Sequence, residues 1–312
     1  MPVITTQQNK PDNAIVRLHN EFCEFCILEK GFAPNTIRSY RYSLQALLRA
    51  FALAQIQDIT VELLRQFFYR GRQEHGWSGT TILHHRKNLS PFFAWCVKKH
   101  CLEANPFQDI EQPKTDAKLP EFYSDAEIER LMYHVQEHPY PHEFLRKRNY
   151  ALLAMLLLTG LRKGELVGLK LTDVNWEEGT LIVRGATSKS RRDRIIPLPQ
   201  RLRDLLHDYL QVRRSLGKTT LSLFASFRLD MGFTHDGLKH LLDQLQKETG
   251  IHIHAHKFRH TFATKSLESN INLNAVKELL GHQDIKTTAI YLHTTVKQLR
   301  AEIEKNKLNC LL

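Results

Sequence analysis

The sequence predicts a mainly α protein with a small β-sheet, divided into a helical domain of about one third and a larger α+β domain. Three observations predict it. Apolar residues recur at helical spacing in four consecutive segments of the first third. Residues 105–120 then break that pattern with Pro106, Pro113 and Pro120 among polar neighbours. Beyond the break, two short apolar runs flank a polar tip, the mark of a hairpin inside an otherwise helical chain. The 312 residues, 42% hydrophobic and 25% charged, are enough for two ordinary cores.

Residues 1–12 read as a flexible tail, and 13–104 as the helical domain. Asp12 and Asn13 are candidate caps for a first helix reaching about Lys30, with Ile15, Leu18, Phe22, Phe25 and Cys26 inward and Gly31 as its stop. Pro34-Asn35-Thr36 starts a second helix, whose apolar face is Ile37, Tyr40, Leu44, Leu47 and Leu48. Thr60 caps a third, carrying Leu63, Leu64, Phe67 and Phe68. Ser78 opens a fourth, carrying Ile82, Leu89, Phe92, Phe93 and Cys96. Four such helices make a small bundle. Residues 105–120 read as a linker, and 121–312 as the second domain. Ser124-Asp125-Ala126-Glu127 has the form of a capping box. It opens a helix over 124–137, followed by helices over 144–159 and 162–169. Strands are expected at Thr180–Arg184 and Arg194–Pro197, with residues 185–193 as the hairpin tip. From 200 onward the pattern is helical, apart from Ile251–His254, which is a candidate strand. The run 296–312 carries Leu299, Ile303 and Leu308 on a narrow stripe, suited to docking on its own domain or on a neighbour.

The charge balance speaks to partners. Lys plus Arg number 44 against 33 Asp plus Glu, a net +11, with +4 before residue 115 and +7 after it. Both domains therefore suit a polyanion. No apolar run approaches the ~18 residues of a membrane span, and the start has no signal-peptide form. Five cysteines in so long a chain are not a disulfide framework. A cytoplasmic, nucleoid-associated protein with no membrane partner is expected.

Several constellations are bland on inspection. Cys23 and Cys26 form a single CxxC within an amphipathic helix, which reads as packing, since a structural zinc site needs four ligands. His252, His254 and His256 alternate and would share one face of a strand, but lack acidic or cysteine ligands in sequence. There is no GxxxxGK[ST] loop and no GxSxG elbow. What remains is cationic. Arg162 follows Thr159-Gly160-Leu161, Lys189 and Arg191 sit on the hairpin tip, and His256 and Arg259 share a helix face at i, i+3. Gly281-His282 is expected to begin another helical segment, with Tyr291 nine residues after His282.

Taken in order, these segments resemble the tyrosine recombinase (phage integrase and Xer) family. TGLRKGELVGL at 159–169 looks like its first arginine motif. TSKSRRDRIIPL at 187–198 is similar to its lysine hairpin, and HKFRHTFAT at 256–264 to its H-x-x-R-H box. LLGHQDIKTTAIYLH at 279–293 resembles its last box. The first domain resembles the family's core-binding (SAM-like) domain, with NTIRSYRYSLQALL fitting its second helix.

The resemblance implies a site-specific recombinase that cleaves and rejoins double-stranded DNA at a core site. The route is a 3′-phosphotyrosyl intermediate and a Holliday junction, for integration or excision of a mobile element or for dimer resolution. It implies Tyr291 as nucleophile, Lys189 as general acid, and Arg162, His256, Arg259 and His282 as the remaining catalytic residues, without metal, ATP or other cofactor. Chemistry agrees: guanidinium forks suit the equatorial oxygens of a phosphodiester, whose charge grows in the transition state. Glu165 is expected either to orient Arg162 from behind or to be an ordinary surface charge. His260 is family-like in position and expected to be structural. Arg38, Arg41, His85, Arg86 and Lys87 are candidate DNA contacts on polar helix faces, as are Arg191 and Lys257. A homotetramer on two DNA sites is implied, with residues 296–312 packing on a neighbouring protomer. Need for a partner recombinase or accessory protein stays open. The hairpin departs from the glycine-rich Xer form, since Gly185 is followed by Ala186 and the lysine comes in a TSK context. It looks more like mobile-element integrases. A type IB topoisomerase-like enzyme and a non-catalytic integrase-like DNA-binding protein are the competing readings.

Overall fold

The structure is a computed structural model, which describes residues 13–113, 120–185, 192–282 and 284–290. The chain divides into two compact units, Met1–Ala117 and Lys118–Leu312.

In the first unit four helices surround one aromatic core: α1 (Ala14–Leu28), α2 (Pro34–Ala50), α3 (Val61–His75) and α4 (Gly79–Lys98). Their starts follow the local chemistry. Asn13, Thr60 and Ser78 each accept backbone N–H groups at the head of α1, α3 and α4, while Pro34 occupies the first turn of α2. The expected inward residues Phe22, Tyr40, Leu44, Leu47, Leu64, Phe67, Leu89, Phe92 and Phe93 are buried together. Cys23, Cys26 and Cys96 join them as free thiols, and burial pushes Cys26 up to about 11 and Cys96 up to about 12. The CxxC is thus a piece of helix packing.

The start of the expected linker belongs to this core. Phe107 is buried and Ile110 packs on the same cluster. Arg86 on α4 explains why: its guanidinium donates to the Phe107 carbonyl at 2.9 Å and the Ile110 carbonyl at 2.5 Å. The proline count hid an apolar anchor, and residues 114–119, the rest of the linker, lie outside the described residues.

The second unit is built on α6 (Glu143–Thr159), whose apolar length from Ala151 to Leu156 is buried on all sides. Around it lie α5 (Asp125–Glu137), α7 (Lys163–Gly168), α8 (Gln200–Ser215), α9 (His235–Thr249) and α10 (Ala255–Glu268). Two shorter helices, α11 (Leu273–Leu280) and α12 (Lys286–Ala289), follow. The capping box at Ser124 forms as expected, with Glu127 accepting from the Ser124 N–H at 2.8 Å. The sheet is a three-stranded antiparallel meander of β1 (Val174–Asn175), β2 (Thr180–Val183) and β3 (Arg194–Pro197). Strand β1 was not anticipated, being only two residues long. Leu181 pairs with Ile196, and Val183 with Arg194. Ile251–His254 is not a strand: His254 caps α10 instead, accepting the Lys257 N–H on Nδ1. Among the described residues no helix is long and apolar enough to cross a membrane.

Candidate active site

Two helix ends make the site. Helix α6 stops at Gly160 and α11 stops at Gly281, both in the left-handed conformation, at φ +61° and +65°. A helix that ends this way turns its last carbonyls out, and these carry the negative end of the helix dipole. Three arginines take them up. Arg259, buried on α10, donates to the Gly160 carbonyl at 2.8 Å and to the Leu280 carbonyl at 2.6 Å, so that one guanidinium bridges the two turns. Arg194 on β3 donates through Nε to the Leu279 carbonyl at 2.8 Å. Arg162 reaches the Gly281 carbonyl at 3.5 Å.

Glu165 locks the arrangement from beneath. It is the third residue of α7, of which Arg162 is the N-cap, and its Oε2 accepts the Arg162 N–H at 2.9 Å. Its Oε1 accepts from Arg162 Nη1 at 2.8 Å. Arg194 adds a fork of its own, at 3.0 Å to Oε1 and 2.7 Å to Oε2. The carboxylate is wholly buried while Arg162 keeps 21% of its side chain exposed. Burial alone would raise the Glu165 pKa, but the bonds and charge of Arg194, with the bonds from Arg162, hold it down at about 2. The carboxylate therefore stays ionised, and Arg162 is held from behind with an edge left toward solvent.

Sequence reasoning left Glu165 undecided between these two roles, and the structure shows it buried against Arg162. Arg194 was missed altogether. A signal was present: Arg194, Ile196 and Leu198 alternate on the inward parity of β3, and a charge on an inward face needs a partner. Gly281 makes room for it, since a Cβ there would lie 3.1 Å from Arg194 Cδ.

His282 follows the second turn. It does not begin a helix, as the sequence suggested, but leaves α11 beyond its glycine cap. Its Nδ1 lies 2.8 Å from Oγ1 of Thr288, a fully buried residue of α12, which fixes the ring. Burial, and then the charges of Arg259, Arg162 and Arg194, lower its pKa to about 4, so the ring is neutral at neutral pH. His256 is exposed on α10, one turn before the half-buried His260, with ring centroids 6.1 Å apart. Burial, then His256, His254 and Arg259, lower His260 to about 4. The structure thus brings Arg162, Arg259 and His282 to the paired turns and puts His256 one helical turn ahead of Arg259. Lys189, Arg191 and Tyr291 lie outside the described residues, as do 1–12 and 296–312.

This chain matches the phage integrase family over residues 121–298 and the N-terminal SAM-like domain of phage integrases over residues 20–100. The chain belongs to the phage integrase family. Among curated family members, tyrosine recombinase XerC of Oceanobacillus iheyensis is 32% identical, over 91% of this chain and 94% of that protein. Tyrosine recombinase XerD of Proteus mirabilis is 31% identical, over 95% and 94%. Among solved structures, the Tn1549 transposon integrase in complex with transposon right end DNA shares the fold at TM-score 0.73 and 22% identity, covering 93% of this chain and 98% of that one. A lambda integrase dimer bound to a core site does so at TM-score 0.70 and 19% identity, covering 88% and 94%.

Two of the expected DNA contacts in this family member are corrected by burial. His85 lies inside the first core, its ring stacked 4.4 Å from Trp77 and its Nδ1 3.1 Å from the Ser43 hydroxyl. Histidine reads as polar in a periodicity but packs as an aromatic ring here. Lys257 is buried too, with Nζ 4.4 Å over the Tyr123 ring and 3.6 Å from Glu127. Arg86 spends its guanidinium on the carbonyls of the 107–110 turn. Arg38, Arg41 and Lys87 are exposed, as expected.

Proposed function

We propose that this chain is a tyrosine-class site-specific recombinase acting on duplex DNA, with Tyr291 as nucleophile and the paired helix turns as the phosphate site. One observation carries the reading: Arg162, Arg259 and His282 stand on two abutting turns, with the arginines fixed from behind by carbonyls and by Glu165. A phosphodiester gains charge on its equatorial oxygens as it is attacked. Donors that are already oriented lower that barrier without reorganising. Arg162 and Arg259 are the donors in this proposal, and neutral His282 supplies a further hydrogen bond. A tyrosine, with a reference pKa of about 10, needs its proton taken or its anion stabilised. His256 is assigned the base and Lys189, between β2 and β3 in the sequence, the acid for the leaving 5′ oxygen. The bond from phosphorus to the 5′ oxygen breaks as the bond to the Tyr291 oxygen forms. The phosphodiester energy is kept in the 3′-phosphotyrosyl link, and attack by a 5′ hydroxyl restores DNA.

The first unit, with Arg38, Arg41 and Lys87 on its surface, is assigned to binding DNA together with the second. Four protomers on two sites, with residues 296–312 exchanged between neighbours, complete the proposal. The test is covalent capture. Full-length wild type and Tyr291→Phe are incubated with fragmented DNA from the source genome and denatured in detergent, and DNA retained on protein is sequenced. Retention of a common site by wild type alone is expected. Cleavage that survives Tyr291→Phe overturns the assignment. Deleting residues from 297 onward is expected to weaken assembly on DNA while leaving single-site binding, and unchanged assembly would sink the exchange.

A further inference from the structure

The recombination chemistry makes no use of one cluster of metal-ligating side chains in the second unit. His134 and His138 lie four residues apart at the end of α5 and so project from one face. Glu248, in the last turn of α9, meets both. Its Oε2 lies 2.7 Å from His134 Nε2 and 3.5 Å from His138 Nδ1. The three ligand atoms fall within 4.8 Å of one another. A cleft of about 380 Å³ opens beside them, walled by Tyr133, Pro139 and Thr249.

We propose that His134, His138 and Glu248 form a binding site for a borderline transition-metal dication, Zn²⁺ or its analogues Co²⁺ and Ni²⁺. Two imidazoles and a carboxylate are a donor set that zinc accepts, with the fourth position left to water. Tetrahedral zinc with bonds of about 2.0–2.1 Å sets its ligand atoms roughly 3.3 Å apart. The His138 to Glu248 distance already matches. The His134 to Glu248 contact has to open by about 0.6 Å, replacing a shared proton by the metal, within reach of two side-chain rotations. The outer contacts are in place. Gln244, one turn before Glu248, donates to Oε1 at 2.9 Å and leaves Oε2 for the metal. At the rim, Arg130 and Glu137 offset one another in charge.

Glu121, His252 and His254 also bring ligand atoms within 4.8 Å, but there the His254 Nδ1 is engaged in capping α10, and His252 and Glu121 are well exposed. That trio is the control. A metal on the first trio would tie α5 to α9 across their ends and act as a brace.

Full-length protein stripped with chelator is titrated with ZnCl₂ by calorimetry and with CoCl₂ by visible absorption, and melted with and without metal. The expected result is one strong site, a Co²⁺ spectrum of low coordination number, and a melting temperature that rises with metal concentration. His134→Ala and His138→Gln should lose all three. Gln244→Ala should weaken binding about 10–100-fold. His252→Ala/His254→Ala should leave them unchanged. Each variant is melted without metal first, and Gln244→Ala, which removes no ligand, serves where a histidine variant fails to fold. Absence of binding, or binding that follows His252 and His254 and ignores His134, overturns the proposal.

Discussion

Each unit carries an arginine–glutamate pair three residues apart on a helix, with Nη1 and Oε1 2.8 Å apart in both. Arg65 and Glu62 form one on α3, where 46% and 72% of the side chains are exposed. Arg162 and Glu165 form the other, where the exposures are 21% and zero. Residue types, spacing and contact length are the same, and the consequences differ. In water each partner of the first pair can exchange the other for solvent at little cost. The buried carboxylate of the second cannot, and it has recruited Arg194 to complete its bonding. The geometry of a single ion pair is therefore a poor guide to its worth, and what surrounds the pair decides whether it is a surface ornament or a keystone.

The largest effect follows from removing that keystone. Glu165→Gln keeps the shape but deletes the charge that compensates Arg194, whose side chain is 8% exposed. Breaking one partner of a buried ion pair costs about 3–5 kcal/mol. Urea unfolding of the second unit should shift by that order, and DNA cleavage should fall with it because Arg162 loses its backing. A loss under about 1 kcal/mol, the range of a surface pair, would erase the contrast between the two sites.

Acid should sharpen the comparison next, because the two units share one window of loss and the second adds another below it. His19 and His85 in the first unit, and His260 and His282 in the second, all have folded pKa values near 4 against an ordinary 6.5. Burial is the leading cause for each, followed for His19 by Arg41, for His85 by His84, for His260 by His256 and for His282 by Arg259. Unfolding lets these rings take a proton, so the stability they carry is whole above pH 6.5 and is lost as pH falls toward 4. Glu165, lowered from 4.5 to about 2, gives stability that is whole above 4.5 and is lost only below it. Urea midpoints of both units should therefore drop between pH 6.5 and 4. Glu165→Gln should reduce the further drop of the second unit below pH 4.5, leaving the part carried by Glu127, Glu248 and Asp230, whose pKa values are also lowered. Midpoints that stay flat from pH 7 to 5 would remove the burial argument for the histidines.

Two glycine caps extend the comparison to the backbone. Gly76 ends α3 and Gly160 ends α6, both at φ +61°. A Cβ at Gly76 would meet nothing within 4 Å, whereas at Gly160 it would lie 2.5 Å from Phe262 Cδ1 and 2.9 Å from Leu280 Cδ2. Gly76→Ala should cost only the left-handed conformation, about 1–2 kcal/mol. Gly160→Ala adds a steric conflict of about 1–3 kcal/mol and displaces the carbonyl that anchors Arg259. Equal losses in thermal or urea unfolding would mean that the two turns relax alike.

The same contrast explains what the sequence alone reveals. The four helices of the first unit were legible because each combines a start signal, a polar cap for three and Pro34 for α2, with an amphipathic face, as at Thr60 with Leu64 and Phe67. Arg162, Arg259 and His282 were legible from ordered motifs, but their meeting on two turns was only half legible: Gly160 stood at the end of an apolar helix, whereas Gly281 was read as a helix start and is a helix stop. Periodicity failed where a residue's class and its burial part company. His85 and Lys257 are polar by type and buried by packing, and Phe107 is an apolar anchor among prolines. Arg194 was lost for a related reason: a cation beside a basic hairpin reads as one more surface charge, and only its inward parity on β3 set it apart.

The smallest effect belongs to the exposed pair, and it completes the argument. Glu62→Gln removes the carboxylate that Arg65 contacts, but Arg65 also donates to the Asp109 carbonyl at 3.1 Å and stays hydrated. The glutamate lies in the first turn of α3, where a negative charge favours the helix dipole, so the substitution loses that small benefit as well. Together these amount to about 0.3–1 kcal/mol at low ionic strength. Screening reaches an exposed pair readily, so the loss should shrink toward zero as salt rises to ~1 M, where the Debye length is about 3 Å. The Glu165→Gln loss, sheltered from counterions, should keep most of its size over the same range. Measuring both substitutions by urea unfolding across a salt series therefore separates burial from contact geometry. If both losses fade with salt to the same degree, Glu165 is solvated like Glu62 and cannot be what holds Arg162 in place.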